Sequence, residues 1–211
     1  MNKIGIIFDL DGTLWDTSVP TFKAANDVAK ENNLKNISLD TIIRGMGENK
    51  EFNAKSYYPE VSLDKGLELL DKAADKNFYY LKNKEAIIYD NVESVLQSLS
   101  KKYNLYIVSN CFDNEYINTF KSYLNVEFKD YIAAGSMNIS KGEAIKLIIN
   151  KNNMDKAIYV GDTKLDQESS KYANIPFIYC KYGFDKIENC EYSINNINEL
   201  DNTIKEIIEQ K

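Results

Sequence analysis

The stretch that decides the fold is Lys3-Ile4-Gly5-Ile6-Ile7-Phe8-Asp9-Leu10-Asp11-Gly12-Thr13. Its first half is almost continuously apolar, which is typical of a strand covered on both faces of a parallel sheet. Its second half places two aspartates, a glycine and a threonine directly after that strand. In an open α/β sheet, ligands bind beyond the carboxyl ends of the strands. The stretch therefore predicts a buried strand that presents polar groups to a site.

Four further apolar runs predict strands of the same buried kind, at residues 105–108, 131–134, 157–160 and 176–180. Between them, apolar residues recur with helical spacing over 92–99 and 145–149. Ser140 and Glu143 form a capping-box pattern that predicts the start of the second of these helices. Because strands and helices alternate, we expect an α/β fold with a doubly wound parallel sheet.

Residues 17–85 break this alternation and predict helices alone, near 22–31, 39–43 and 63–81. A last helix is predicted near 197–208. The sequence therefore predicts two domains: a Rossmann-like catalytic core of residues 1–16 and 86–211, and an inserted helical cap of residues 17–85. A helical insertion directly after the first strand suggests a lid over the end of that strand.

Composition and charge limit the classes of function. Apolar residues make up 44% and charged residues 27% of the 211 residues, which is ordinary for a globular protein. The net charge of −6 repels polyanions at long range, so we expect no nucleic-acid partner. No apolar run approaches the roughly 20 residues that span a bilayer, so we expect no membrane partner. Three cysteines, an odd number without metal spacing, suit a reducing compartment, and we expect a cytoplasmic protein.

The absence of histidine excludes several kinds of catalytic site. Ser-His-Asp triads, Cys-His pairs and histidine-ligated zinc sites all require a residue that this chain does not contain. Acid–base chemistry would therefore depend on carboxylates, lysines or tyrosines.

Carboxylates follow two of the predicted strands. Asp9 and Asp11 are two apart, and in an extended chain they point the same way. Asp162 and Asp166 are four apart and would share a helix face. If the four meet, each close pair costs about 4 kcal/mol at the effective dielectric of a protein surface. A cation would relieve this repulsion, and oxygen ligands with room for water favour Mg²⁺.

Other groups at the strand ends suit an anion. Gly12 and Thr13 offer backbone N–H groups in a tight turn, which can cradle phosphate oxygens. Ser109 and Asn110 follow a strand and add a hydroxyl and an amide. Lys141 adds an ammonium in the first turn of a helix at the same edge.

Alternative interpretations exist for several of these residues. Ser109 and Asn110 alone would more often be a turn or a helix cap. Asp162 and Asp166 could simply lie at a helix N-terminus, where acids are favoured. Lys146 is an alternative to Lys141, although it lies deeper along the helix.

The quoted motifs together resemble those of the haloacid-dehalogenase superfamily. The resemblance rests on residues 9–14 (Asp-Leu-Asp-Gly-Thr-Leu), 108–110, Lys141 and 161–166 (Gly-Asp-Thr-Lys-Leu-Asp), which occur in the order of the four motifs of that superfamily. The position of the helical insertion is similar to the helical-cap subclass, which includes phosphoglycolate phosphatases and sugar-phosphate mutases. Aspartate at position 11 resembles the pattern of the phosphoryl-transfer enzymes of the superfamily. The dehalogenases of the superfamily have tyrosine at the corresponding position.

The resemblance implies a role for each residue. Asp9 would attack phosphorus, and Asp11 would protonate the leaving oxygen and then activate water. Ser109, the Asn110 backbone and Lys141 would bind the phosphoryl group. The metal site would comprise Asp9, the Asp11 carbonyl, Asp162 and Asp166, the last as a ligand or as a partner of a ligand.

The expected function is Mg²⁺-dependent hydrolysis of a small phosphate monoester through an aspartyl-phosphate. Two alternatives remain: a phosphomutase of the beta-phosphoglucomutase type, and a non-catalytic binding or regulatory protein on the same fold. Phosphoglycolate, a sugar phosphate and a nucleotide are all compatible substrates. Arg44 is the only arginine in the chain, so it is the one candidate for bidentate recognition of a second acid group on the substrate.

Overall fold

The computed structural model describes residues 3–210. The chain divides into two compact units, one containing the residues up to 14 and from 88 onward and the other containing Trp15–Ile87. The assignment of residues 1–16 and 86–211 as catalytic core and of 17–85 as cap stays a prediction.

The strands of the described chain are β1 (Ile4–Phe8), β2 (Trp15–Asp16), β3 (Ile87–Ile88), β4 (Asn104–Ser109), β5 (Asp130–Ala133), β6 (Lys156–Gly161), β7 (Phe177–Cys180) and β8 (Tyr192–Ile194). The helices are α1 (Ser18–Glu31), α2 (Leu39–Gly45), α3 (Lys50–Tyr57), α4 (Leu63–Lys82), α5 (Val92–Ser100), α6 (Asn114–Lys121), α7 (Ala134–Met137), α8 (Lys141–Asn152), α9 (Lys164–Ala173) and α10 (Leu200–Glu209), with a 3-10 helix at Ile197–Glu199 before α10. The short strands β2 and β3 pair with each other.

Six strands form one sheet within residues 3–210, in the order β5-β4-β1-β6-β7-β8. Each pair of neighbours is parallel, with Phe8 of β1 opposite Ile107 on one side and Val160 on the other. The sheet grows outward from β1 in both directions, so the strand order reverses there, and such a switch point is where ligands bind. The predicted doubly wound parallel sheet is confirmed.

Burial explains why the apolar runs form the central strands. Residues 5–8 of β1 and 157–161 of β6 are buried throughout. Helix α8 covers the sheet and begins at the predicted capping box, in which Ser140 and Glu143 each bond the backbone of the other. One core cluster joins this helix to the strands, and its buried members are Ile7, Tyr106, Val108, Ile132, Ala134, Ala144, Ile145, Ile148, Ala157, Tyr159, Phe177 and Tyr179.

The second unit contains helices α1 to α4. The side chains of Ser38, Asn49 and Ser62 cap the starts of α2, α3 and α4. The unit has its own apolar core, which comprises Ala25, Val28, Ala29, Ile37, Ile42, Tyr57, Tyr58, Leu69 and Ala73. Helix α3 was not predicted, because its sequence is largely polar and only Ala54 and Tyr57 are buried.

Among residues 3–210, none of the helices combines the length and apolar character that a bilayer crossing requires.

Candidate active site

Asp9 lies immediately after β1, at the switch point of the sheet. Its backbone N–H donates to Val160 O at 2.9 Å, which continues the pairing of β1 with β6. Its side chain is buried and accepts a hydrogen bond from Lys141 Nζ at 3.0 Å. Burial raises the pKa of Asp9 to about 7, against the lowering effect of Lys141 and with further raising by Asp166 and Asp11. The carboxylate is therefore held in a position where it needs positive charge nearby.

The backbone turns sharply after Asp9. Gly12 has φ +82°, a conformation that side chains disfavour, and the N–H groups of Thr13 and Leu14 both donate to Leu10 O, at 3.1 and 2.8 Å. The turn comprises residues 12–14, whereas Asp11 itself lies in a β-bridge position, so the expectation that Asp9 and Asp11 point the same way stays a prediction. The N–H of Thr13 donates within this turn, and binding of phosphate by Gly12 and Thr13 stays a prediction.

Asp162 follows β6 and is fully buried. One of its oxygens accepts from Thr13 Oγ1 at 3.0 Å, and the other accepts from the backbone N–H of Phe184 at 2.8 Å. The loop that carries Phe184 comes this close because Gly183 has no side chain. An added Cβ at Gly183 would lie 2.2 Å from Asp162 Cβ.

The electrostatic setting of Asp162 resembles that of Asp9. Burial raises the pKa of Asp162 well above its ordinary value, and the charges of Asp166 and Asp9 raise it further. The prediction that Asp162 and Asp166 share a helix face is wrong. Helix α9 begins at Lys164 with Thr163 as its N-cap, so Asp162 precedes the helix.

Asp166 is fully buried and its two oxygens accept from five donors. Oδ2 accepts the N–H groups of Asp162 and Thr163 and the Thr163 hydroxyl, at 3.2, 3.0 and 2.8 Å. Oδ1 accepts from Lys141 Nζ at 2.7 Å and lies 3.2 Å from the hydroxyl of Tyr159. The side chain of Asp166 therefore joins the loop after β6 to Lys141.

Lys141 lies in the first turn of α8 and is the cation of the site. Its ammonium is almost completely buried between Asp9 and Asp166. Burial lowers the pKa of Lys141, but the two carboxylates raise it more, so the pKa lies above its ordinary value. Lys146, the alternative considered from sequence, is exposed, and its ammonium lies 4.1 Å from the ring centre of Tyr172.

Asp9, Asp162 and Asp166 form a group that suits a divalent ion. One oxygen of each lies within 4.8 Å of the others, and all three side chains are buried. When all three are ionised, the carboxylates and the one ammonium carry an excess of two negative charges, and the donors are all oxygen, as hard cations prefer. The carboxylate of Asp11 is outside this group and instead accepts a hydrogen bond from Tyr116.

The other predicted phosphate-binding residues lie at the same edge of the sheet. Ser109 ends β4, the neighbour of β1, and is buried, with its Oγ accepting from the Cys111 N–H at 3.3 Å. Asn110 follows directly and is half-buried. Their roles toward substrate stay predictions.

Arg44 lies at the end of α2 in the other unit. Its guanidinium pairs with Asp40 at 2.8 Å, one turn earlier on the same helix, and is largely exposed. Contact of Arg44 with substrate stays a prediction.

Sequence reasoning missed three groups around the site: the Tyr116 hydroxyl, the Tyr159 hydroxyl and the Phe184 N–H. Tyr159 lies within an apolar run, which predicted a strand but gave no sign that its hydroxyl would reach Asp166. The dipeptide Gly183-Phe184 was the available signal for the close loop, since glycine permits such an approach. Tyr116 lies seven residues after Ser109 and gave no signal of its own.

Comparison with known proteins identifies the family. The model of the family described as haloacid dehalogenase-like hydrolase matches residues 6–180. A phosphoglycolate phosphatase from Rhodobacter capsulatus is 25% identical over 190 residues, which cover 86% of this chain and 85% of that protein.

Solved structures share the fold. A haloacid dehalogenase-like family hydrolase from Streptococcus pneumoniae has a TM-score of 0.84 and 22% identity, covering 96% of this chain and 98% of that one. A protein described as a predicted phosphoglycolate phosphatase from Haemophilus somnus has a TM-score of 0.81 and 18% identity, covering 97% and 98%. Because the family match spans most of the sequence, including the strands that carry Asp9 and Asp162, the chain belongs to the haloacid dehalogenase-like hydrolase family and is an enzyme of the phosphatase type.

Proposed function

We propose that the protein hydrolyses a small phosphate monoester in a Mg²⁺-dependent reaction, through an aspartyl-phosphate formed on Asp9. The observation that carries this proposal is the buried group of Asp9, Asp162 and Asp166, in which Asp9 and Asp166 pair with the ammonium of Lys141. A divalent cation would compensate its excess negative charge and would leave the ammonium of Lys141 available to an anionic phosphoryl group. A protein without catalytic chemistry gains nothing from burying so many charges, which cost free energy unless they are fully compensated.

The residues that would hold Mg²⁺ are Asp9, Asp162 and the backbone carbonyl of Asp11. When bound, the ion would offset negative charge on the phosphoryl oxygens and help to orient the phosphate. Asp166 is a less suitable ligand, because five donors already surround its two oxygens. We assign Asp166 to the placement of Lys141 and of the loop that carries Asp162.

In the first step, an oxygen of Asp9 attacks phosphorus. A bond forms between that oxygen and phosphorus, the bond from phosphorus to the leaving oxygen breaks, and Asp11 gives its proton to the leaving oxygen. Lys141 neutralises the attacking carboxylate and, with Ser109 and the Asn110 backbone, balances the charge on the phosphoryl oxygens. Its hydrogen bond to Asp9 also fixes the orientation of the nucleophile.

In the second step, water attacks the phosphorus of the aspartyl-phosphate. Asp11, now a carboxylate, takes a proton from this water, and the bond between Asp9 and phosphorus breaks to release inorganic phosphate. Asp11 thereby regains the proton that it gave up in the first step. Splitting one displacement into two gives each step a nearby acid or base.

The proposed substrate class is a small phosphorylated metabolite. The relative from Rhodobacter capsulatus is named for phosphoglycolate, and this supports the class without naming the substrate of this chain. We further propose that the helices of residues 17–85 act as a cap that selects the organic part of the substrate and excludes bulk water during the reaction.

The experiment is phosphate release from p-nitrophenyl phosphate and from a panel of phosphorylated metabolites, with Mg²⁺ or with EDTA. We expect turnover that requires Mg²⁺ and that Asp9→Asn abolishes. Asp155→Asn is the matched control, because Asp155 is an exposed aspartate just before β6, at the opposite end of that strand. Mass spectrometry of acid-quenched enzyme should find phosphate on the peptide that contains Asp9.

Two results would contradict the proposal. One is activity of Asp9→Asn equal to that of the wild type, which would exclude Asp9 as the nucleophile. The other is full turnover in EDTA after extensive dialysis, which would exclude the metal.

A further inference from the structure

Tyr116 makes a short hydrogen bond to the proposed acid–base residue. Its hydroxyl donates to Asp11 Oδ1 at 2.6 Å, across 105 residues of sequence. A distance in this range is typical of a hydroxyl that donates to a carboxylate, which is stronger than a bond between neutral groups. Both side chains are half-buried, which limits competition from water.

The position of Tyr116 is fixed by the start of α6. The side chain of Asp113 caps this helix by accepting the N–H of Tyr116 at 2.9 Å, so the backbone of Tyr116 lies in the ordered first turn. Ile117 and Phe120 are fully buried and anchor the helix to the core. The hydroxyl of Tyr116 is therefore carried by a rigid ring on a fixed backbone.

We infer that Tyr116 is a positioning residue for Asp11, an inference that rests on the proposed function. By donating to Oδ1, its hydroxyl holds the carboxyl group in one orientation and leaves the transferable proton to Oδ2. In the first step that proton passes from Oδ2 to the leaving oxygen as the phosphorus–oxygen bond breaks, while Tyr116 keeps its own proton. Without the hydroxyl, the carboxyl group would sample other rotamers and present its proton in fewer encounters.

The test is Tyr116→Phe, which removes one oxygen atom, measured with esters of different leaving groups. The value of kcat/KM reports the steps up to transfer of phosphate to Asp9. An alkyl phosphate needs a proton on its leaving oxygen, whereas a dinitrophenyl phosphate releases dinitrophenolate, a stable anion that needs no proton to leave. We expect kcat/KM for the alkyl ester to fall about 10- to 100-fold, since general acid catalysis contributes factors of this size. For the dinitrophenyl ester we expect a change of less than about threefold, because that step does not use the acid.

Tyr192→Phe is the matched control. The Tyr192 hydroxyl also donates at 2.6 Å, to Gln210 Oε1 at the far edge of the sheet, so the same atom is removed from an equally short bond. We expect this variant to match the wild type with both esters. A double variant provides a second measurement: in an Asp11→Asn background, Tyr116→Phe should cause no further loss, because its effect acts through Asp11.

The outcomes separate the inference from the proposed function. Three results would overturn the role of Tyr116 in a protein that still shows Asp9-dependent turnover. They are an equal loss of kcat/KM with both esters, no loss with either ester, and a further loss when Tyr116→Phe is added to Asp11→Asn. A wild type without Asp9-dependent turnover would overturn the proposed function, and this inference with it.

Discussion

Replacing Lys141 by methionine should destabilise the protein in a way that depends on pH. The ammonium lies 3.0 Å from an oxygen of Asp9 and 2.7 Å from an oxygen of Asp166, and all three side chains are at least nine-tenths buried. At an effective dielectric of 20, each attraction amounts to about 6 kcal/mol, and the burial of the charges offsets much of it. Removing one partner of such a buried set typically costs about 3–5 kcal/mol, because the remaining charges stay buried without compensation.

This loss of stability is large enough to measure by thermal unfolding. For a chain of this length, each kcal/mol lowers the melting temperature by roughly 2–4 °C, so Lys141→Met should melt roughly 6–20 °C lower at pH 8. The assay is differential scanning calorimetry in EDTA, so that metal does not replace the missing charge. At pH 5 the loss should be smaller, because Asp9, whose pKa burial raises to about 7, takes up a proton and no longer needs the ammonium.

Lys146→Met is the control for this measurement. Lys146 lies in the same helix, is exposed, and contacts the ring of Tyr172, so its replacement removes the same charge from a solvated position. The reasoning would be refuted if Lys141→Met melted within roughly 2 °C of the wild type at pH 8, a difference typical of surface substitutions. It would also be refuted if the two variants were equally destabilised.

Two further predictions concern the metal-free protein and the loop at Asp162. Gly183→Ala should lower the affinity for Mg²⁺ about 10- to 100-fold in titration calorimetry, as is typical when a partner of a metal ligand is lost. The added methyl carbon would lie 2.2 Å from Asp162 Cβ, so the loop must shift and the Phe184 N–H would move away from the Asp162 carboxylate. Phe184→Ala keeps that N–H and should retain most of the affinity for Mg²⁺. Equal affinities of the wild type, Gly183→Ala and Phe184→Ala would contradict a role of the Phe184 N–H in placing Asp162. In EDTA, the stability of the wild type relative to Asp9→Asn should fall as pH rises from about 4 to about 7, because a carboxyl group with a raised pKa in the folded state favours folding only while it is protonated. A relative stability that rises over this range in urea unfolding would exclude the raised pKa.

Much of the architecture could be predicted because the signals are local. The apolar runs of β1 and β6 and the capping box at Ser140 are readable within a few residues of chain, and each formed the predicted element. Strand β8 was missed because its sequence, Tyr192-Ser193-Ile194, is short and half polar. Its place in the sheet depends on pairing with β7, which is a long-range contact.

The gathering of the site residues could also be predicted, but its hydrogen bonds could not. The carboxyl ends of neighbouring parallel strands meet at one edge of a sheet, so Asp9 and Asp162 had to lie near each other. The prediction failed at the next level of detail. It assumed helix at Asp162, whereas Asp162 lies before α9, where its side chain accepts a hydrogen bond from the backbone of Phe184, 22 residues away.

The sequence by itself determined five of the six strands of the sheet, its functional edge and the chemical types of the groups gathered there, because hydrophobic periodicity depends on neighbouring residues. Only the tertiary structure decided which donor meets which oxygen: Lys141 between Asp9 and Asp166, Tyr116 on Asp11, and the Phe184 N–H on Asp162. These partners are separated by 22 to 132 residues along the chain. Such pairings arise when buried polar groups have lost water and must find partners within the folded core, and no local pattern records that choice.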